Sequence, residues 1–126
     1  MHVPEDRRYT DQHEWALPTA GAVRVGITDY AQDALGDVVF VDVLVSPGEL
    51  IETGQVIAEV ESTKSVAEVY APFAGTVAAV NGALAADPET VNRDPYDAGW
   101  FLAIEPTDPS AVDSLLDAAA YGALIA

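Results

Sequence analysis

The sequence predicts a mostly β fold, a small barrel-like or sandwich domain with short flanking helices. Three observations favour this class: short valine-rich segments recur along the chain, glycine or proline interrupts them at close intervals, and helical patterns are brief. No linker or low-complexity stretch divides the chain. We therefore predict a single domain over residues 9–126, preceded by a flexible N-terminal segment over residues 1–8.

The first third of the chain predicts a hairpin, a helix and a strand. Residues 9–17 and 22–27 are predicted strands, and residues 18–21 supply the turn between them. Thr28 is placed to cap a helix of about two turns that ends at Gly36. Residues 37–45 are rich in valine and predict a buried strand.

The middle of the chain predicts a hairpin with a lysine at its tip. Residues 49–52, 55–61 and 66–71 are predicted strands, and apolar side chains alternate along the last two. Residues 62–65 then form the turn, with small polar residues around Lys64. We expect Lys64 to project into solvent from a rigid support.

The last third predicts two strands and a terminal helix. Residues 75–80 and 100–105 are predicted strands, separated by a loop over residues 81–87 and a helical turn over residues 88–91. After Pro109, Ser110 and Asp113 indicate the capped start of a helix that runs to the C-terminus.

The charge balance excludes two classes of partner. The chain has 21 acidic and five basic residues, for a formal net charge of −16. Such a surface repels nucleic acid and anionic membranes, so charged partners should be basic. The apolar stretches are too short for a membrane span, and residues 1–8 have no apolar signal core. A soluble, cytoplasmic protein is the expectation.

Few residues are available for catalysis. The chain has no cysteine, which excludes disulfides, thiol nucleophiles and thiolate metal sites. Its two histidines are His2 in the N-terminal segment and His13 beside an aromatic residue, where a structural role is the expectation. A non-catalytic protein is therefore predicted, and any redox chemistry must come from an attached group.

Lys64 is the only lysine of the chain. An arginine-rich genome or adaptation to high salt could deplete lysine without functional meaning. Composition and spacing alone leave two readings comparable: a modification site, or an ordinary turn lysine that pairs with Glu61 three residues earlier. The acidic residues near the tip could also steer basic partner surfaces.

Ordered motifs along the chain resemble a known family. The run Glu61-Ser62-Thr63-Lys64-Ser65-Val66, followed by Ala71-Pro72 and Gly75, resembles the attachment hairpin of lipoyl domains. The wider set resembles the H protein of the glycine cleavage system, in that family's order and spacing over roughly residues 9–125. It comprises Tyr9-Thr10, His13-Glu14-Trp15, Val25-Gly26-Ile27-Thr28-Asp29-Tyr30-Ala31-Gln32, Leu35-Gly36-Asp37-Val38-Val39-Phe40-Val41, Val91-Asn92, Asp94-Pro95-Tyr96 and Gly99-Trp100.

The resemblance implies a barrel-sandwich fold of the lipoyl-domain type and a carrier function. Lipoic acid would be attached to Lys64 as an amide, N6-lipoyllysine, and would supply both sulfurs. The arm would receive an aminomethyl group from a pyridoxal-phosphate glycine decarboxylase and pass its one-carbon unit to tetrahydrofolate on an aminomethyltransferase. Dihydrolipoyl dehydrogenase would then reoxidise the dithiol. A lipoate-attaching enzyme is a further implied partner.

The resemblance also implies a cleft for the loaded arm. Glu14 matches a position beside that cleft, and Gln12, Ile27 and Glu68 match other positions around it. A carboxylate at Glu14 could hold the cationic amine of the loaded arm. Gln12 departs from the small or charged residues frequent in the family, and Glu68 stands where aspartate is usual.

Three alternatives remain at this stage. A biotin carrier also places a lysine on a hairpin, but methionine typically flanks that lysine, and Thr63 and Ser65 stand in those places. A relay that delivers lipoyl groups to other lipoate-dependent enzymes would use the same lysine. An unmodified interaction domain is the third alternative.

Overall fold

The computed structural model describes all 126 residues and contains nine strands and five short helices. The strands are β1 Arg8–Tyr9, β2 Glu14–Thr19, β3 Ala22–Ile27, β4 Val38–Val43, β5 Leu50–Ile51, β6 Val56–Ser62, β7 Val66–Tyr70, β8 Gly75–Val80 and β9 Leu102–Pro106. The helices are α1 Asp29–Leu35, α2 Ala83–Ala86, α3 Thr90–Arg93, a 3-10 helix Pro109–Ser114 and α4 Ala118–Leu124. None of the helices is both long and apolar enough to cross a membrane.

Two antiparallel sheets share one hydrophobic core. The larger sheet has the order β1-β2-β3-β9-β8-β5, and the smaller has the order β4-β6-β7. Buried side chains of both sheets, such as Val25 and Ile104 of the larger and Val41 and Val60 of the smaller, belong to one cluster. The predicted mostly β fold with short helices is confirmed, although the sheets do not close into a barrel.

The first predicted strand is interrupted. Residues 10–13 form a turn between β1 and β2, with the Thr10 N–H bonded to the Glu14 carbonyl at 3.0 Å and His13 at a φ of 68°. The prediction of one strand over residues 9–17 is therefore wrong, because the polar run Asp11-Gln12 makes a local turn.

The turn between β2 and β3 is shorter than predicted. Pro18 and Thr19 continue β2, with Pro18 opposite Val23, and Gly21 makes the turn at a φ of 81°. Proline is tolerated there because β1 flanks only Trp15 and Ala16 of β2, so no strand needs the missing N–H.

Helix α1 follows its sequence signals and forms one wall of the cleft described below. The Thr28 hydroxyl accepts a hydrogen bond from the Ala31 N–H at 3.2 Å. Gly36 closes the helix at φ 82° and ψ −154°, a region essentially restricted to glycine. The predicted cap and stop are both confirmed.

Strand β4 is only half-buried, which corrects the prediction of a buried strand over residues 37–45. Val38 and Val41 face the core, whereas Val39 and Phe40 are about half exposed. The register with β6 shifts between Val38 and Phe40, so the extra residue turns this part of the strand outward.

The C-terminal third differs in two places from its prediction. The predicted loop over residues 81–87 contains α2, and the predicted single helix from Ser110 is two helices with a break between them. At the break, Leu116 makes a β-bridge with Tyr9. Asp117 then caps α4 by accepting a hydrogen bond from the Ala120 N–H at 2.8 Å.

The N-terminal segment lies against the domain. The Tyr96 hydroxyl donates to the His2 carbonyl at 2.6 Å, and Arg7 donates to the Tyr96 carbonyl at 2.7 Å. The Arg7 guanidinium also lies 4.8 Å from the centre of the Trp15 ring. The flexibility expected of residues 1–8 stays a prediction.

Candidate functional site

The tip of the β6–β7 hairpin is held by hydrogen bonds to Ser62. Its N–H donates to the Ser65 carbonyl at 2.8 Å. Its hydroxyl oxygen accepts from the N–H of Lys64 at 3.3 Å and from that of Ser65 at 3.1 Å. Because one side chain satisfies two backbone donors of the turn, the backbone around Lys64 has a defined geometry.

The hairpin tip contacts the end of α1. The Thr63 N–H donates to the Asp37 carbonyl at 3.1 Å. A methyl group added at Gly36 would lie 3.3 Å from Lys64 Cε and 3.8 Å from Nζ. The lysine side chain therefore lies beside the glycine that ends α1, where a larger residue would crowd it.

The Lys64 amine has no partner within the protein. The three ion pairs of the chain use only Arg7 and Arg93 as cations, so the pair with Glu61 that an ordinary turn lysine would make is not formed. Lys64 is exposed. A primary amine that is accessible and unpaired on a rigid support is suited to acylation, which removes its charge.

A cleft of about 230 Å³ opens between α1 and β7, and we call it the α1 cleft. Eight of its 12 lining residues are hydrophobic, among them Ala31, Ala34 and Leu35 of α1. All four residues that the sequence predicted around an arm cleft line it. These are Gln12, Glu14, Ile27 and Glu68. Their role toward an arm stays a prediction.

Glu14 links the two sheets. The residue is 2% exposed. Oε1 accepts from the Thr10 hydroxyl at 2.6 Å, and Oε2 accepts from the Tyr70 N–H at 3.2 Å. Burial raises the pKa of the Glu14 carboxyl, and the two hydrogen bonds oppose that rise. The structure thus buries Glu14, with one lone pair on each oxygen still free.

A wider groove of about 670 Å³ shares Gln12 and Glu14 with the α1 cleft. It is lined by residues from several elements, including Thr53, Tyr70 and Leu115. None of the hairpin-tip residues 62–65 lines it. Residues 62–65 do not line the α1 cleft either, but one of its walls is α1, whose last residue, Leu35, precedes the glycine beside Lys64. We therefore associate the α1 cleft with Lys64.

Sequence reasoning gave His13 a structural role and assigned no role near the α1 cleft to two tyrosines, Tyr30 and Tyr121. His13 and Tyr30 line this cleft, with their rings 4.6 Å apart. Tyr121 of α4 reaches His13 Nδ1 through its hydroxyl at 2.8 Å. His13 and Tyr121 are 108 positions apart, so no local pattern could have paired them.

Known proteins of similar sequence and structure identify the family. The family model described as glycine cleavage H-protein matches residues 7–126. The chain belongs to this family. A glycine cleavage system H protein of Thermus thermophilus is 53% identical over 121 residues, covering 96% of this chain and 94% of that protein. One from Anaeromyxobacter is 50% identical over 125 residues, covering 99% and 97%.

A solved structure gives the same result for the fold. The crystal structure of a glycine cleavage system H protein from Mycobacterium marinum matches with a TM-score of 0.86 and 46% identity, covering 96% of this chain and 97% of that one. The resemblance seen in the sequence motifs is thus confirmed. As a member of the glycine cleavage H-protein family, the chain is a carrier component by family.

Proposed function

We propose that this H-protein family member is lipoylated on Lys64 and carries the aminomethyl group of glycine without catalysing a step itself. The observation that carries the proposal is the placement of the only lysine: its unpaired amine stands on a hydrogen-bonded hairpin tip at the end of α1. With one lysine, a lipoate-attaching enzyme has a single amine on a side chain to modify.

Each partner would have a distinct task. A glycine decarboxylase with pyridoxal phosphate loads the arm, an aminomethyltransferase with tetrahydrofolate unloads it, and dihydrolipoyl dehydrogenase restores it. Lipoate, when bound, supplies a disulfide that accepts the aminomethyl group and is left as a dithiol after unloading. The residues of this protein would hold the lipoyl arm, orient it toward the partner enzymes and shelter the aminomethyl group that it carries. No membrane or nucleic acid enters the proposal, and a cytoplasmic location stays a prediction.

The α1 cleft is suited to shelter the loaded arm. Its mostly apolar walls match a methylene chain, and Glu14 and Glu68 supply carboxylates for a cationic amine. The free lone pairs of Glu14 lie in a buried setting, where a charge-assisted hydrogen bond is strong. A bound cation would also favour the ionised carboxylate and lower its raised pKa.

Glu14→Gln should leave lipoylation and loading unchanged but release the aminomethyl group about tenfold faster. An amide replaces the charge-assisted hydrogen bond with a weaker neutral one. The loaded protein is separated from the decarboxylase, and the release of formaldehyde and ammonia is followed with time. The double change with Glu68→Gln should speed release further.

Glu59→Gln is the matched control, because Glu59 pairs with Glu68 across β6 and β7 but does not line the α1 cleft. It should release the group at the wild-type rate. Equal rates in Glu14→Gln and Glu59→Gln would contradict a role for Glu14 in shelter, while the assignment of Lys64 would stand.

The hairpin tip gives a second prediction, about lipoylation. Ser62→Pro removes the N–H that bonds to Ser65 and should slow lipoylation about tenfold or more. Ser62→Ala loses the oxygen that accepts from two N–H groups and should have a smaller effect. Ser65→Ala keeps its own N–H and should behave as wild type. Equal initial rates with a purified lipoate-attaching enzyme would show that tip geometry is not recognised.

A reconstituted system tests the proposal. Lipoylated and unlipoylated forms of this protein are compared in a mixture of glycine decarboxylase, aminomethyltransferase and dihydrolipoyl dehydrogenase with their cofactors. Only the lipoylated form should support release of carbon dioxide from glycine and formation of methylenetetrahydrofolate. An inactive lipoylated form that instead donates its lipoyl group to an acceptor domain would replace the proposal with the lipoyl relay.

A further inference from the structure

A chain of hydrogen bonds connects the α1 cleft with the C-terminal helix. His13 Nδ1 lies 2.8 Å from the Tyr121 hydroxyl, which lies 2.7 Å from the Thr28 hydroxyl. The Thr28 oxygen also accepts from the Ala31 N–H at the start of α1. These hydrogen bonds connect three segments through side-chain oxygens and one imidazole nitrogen. The segments are the turn that precedes β2, the start of α1, and α4.

The burial of Thr28 sets the direction of proton donation along this chain. Thr28 is fully buried, and its oxygen already accepts from Ala31, so its own proton needs an acceptor. The Tyr121 oxygen is the only acceptor within reach. Thr28 therefore donates to Tyr121, and Tyr121 donates to His13 Nδ1. Burial raises the pKa of Tyr121 to about 12, so Tyr121 retains its proton.

This direction fixes the tautomer of His13. Because Nδ1 accepts a hydrogen bond, the ring is neutral and carries its proton on Nε2. Nε2 has no hydrogen-bond partner in the protein. Every buried side-chain nitrogen and oxygen does have a partner, so Nε2 is not buried and is accessible to solvent. A protonated ring would present N–H at Nδ1, and the chain would have to reverse, leaving the Thr28 proton without an acceptor.

We propose that Tyr121 is a positioning residue that holds His13 as the neutral Nε2–H tautomer, so that this wall of the α1 cleft carries no positive charge when a cationic arm is sheltered there. The inference rests on the proposed function for its ligand. A histidinium in this wall would repel an ammonium group, whereas a neutral imidazole leaves the cleft carboxylates as its only charges.

The titratable groups around His13 are carboxylates and tyrosines, and none of them is a cation. The titratable groups that face it or share the cleft wall are Asp11 and Glu14 beside it in the chain, Tyr30 on α1, Glu68 on β7 and Tyr121 on α4. Burial lowers the pKa of His13, and the charge of Asp11 opposes that effect in part. The hydrogen bond from Tyr121 acts in the same direction as burial, since it stabilises the neutral ring.

Nuclear magnetic resonance of the unlipoylated protein tests the tautomer directly. Nitrogen shifts of the His13 ring should show the Nε2–H form, and Tyr121→Phe should raise the pH at which His13 titrates. Thr28→Val should leave the His13 titration near the wild-type pH, because a reversed Tyr121 would have no acceptor for its own buried proton. Thr28→Ser, which keeps the hydroxyl, should also titrate as the wild type. Tyr9→Phe is the matched control and should leave the His13 titration unchanged. Tyr9 stacks on Tyr121, but its hydroxyl donates to the Pro4 carbonyl and takes no part in the hydrogen bonds that link Thr28, Tyr121 and His13.

An Nδ1–H tautomer, or the same His13 titration in wild type and Tyr121→Phe, would overturn the inference. This outcome does not depend on whether the protein can be lipoylated or loaded. Once the protein is loaded, the release of the aminomethyl group is followed against pH. The pH below which release accelerates should move upward in Tyr121→Phe. In His13→Asn, whose side chain is neutral and tolerates the positive φ of 68°, this acid-induced acceleration should be reduced.

Release that is independent of Tyr121 and His13 at every pH would overturn the inference and leave the carrier function intact. A protein that cannot be loaded at all would instead contradict the proposed function, while the tautomer measurement would still stand. The two failures are therefore distinguishable.

Discussion

Lys64→Arg is expected to give a folded protein with no lipoyl group and no activity in the glycine cleavage reaction. Arginine keeps the positive charge but has no primary amine that can be acylated. Lys64 is exposed and its amine has no partner, so the free energy of unfolding should change by less than about 0.5 kcal/mol. Intact mass, denaturant unfolding and carbon dioxide release from glycine measure the three effects.

A displaced lysine provides the control. Arg93→Lys in the Lys64→Arg background puts the only lysine on α3, where Arg93 is 56% exposed. This double variant should remain unlipoylated, because the amine no longer stands on the hairpin tip. Activity in Lys64→Arg, or lipoylation at residue 93, would remove the central role of the β6–β7 hairpin.

Gly26→Ala should be among the most destabilising single changes, lowering the free energy of unfolding by about 3 kcal/mol. Gly26 lies opposite Trp15 across β2 and β3, and a Cβ at Gly26 would lie 2.6 Å from two atoms of the indole ring. The ring cannot move aside freely, since Trp15 is buried and its Nε1–H donates to the Pro95 carbonyl at 2.9 Å. Displacing it would also lose that hydrogen bond.

Gly122→Ala is the matched control for this prediction. Gly122 lies in α4, and nothing lies within 4 Å of the position a Cβ would take. Alanine there should be neutral or stabilise by up to about 1 kcal/mol, because glycine is a poor helix former. Denaturant unfolding of both variants gives the comparison. Similar stability of the two would mean that the indole does not pack on Gly26 as described.

The sequence predicted those parts of the fold whose signals are local. Thr28 and Gly36 mark the ends of α1 because capping depends on residues a few positions apart. The hairpin around Lys64 was predicted for the same reason, since apolar alternation and a small polar turn lie within 15 residues. Local chemistry was sufficient to predict the hairpin tip, whereas lipoyl attachment at Lys64 is implied by the family resemblance and stays a prediction.

Features that depend on distant contacts were missed. The break before α4 arises where Leu116 pairs with Tyr9, more than 100 residues away in sequence. The chain from His13 through Tyr121 is likewise built by tertiary packing. Family motifs indicated that Glu14 lies near a cleft, but only the structure shows that its Oε2 joins β2 to β7 by accepting from the Tyr70 N–H.

The carrier role of Lys64 is tested most directly by following the carbon of glycine. Lipoylated protein is incubated with glycine decarboxylase and glycine labelled at its methylene carbon, then separated and digested. The label should appear on this protein in one peptide, the one that contains lipoylated Lys64, and should be lost on addition of aminomethyltransferase with tetrahydrofolate. Label that stays in solution, or that resides on any other peptide, would contradict the account.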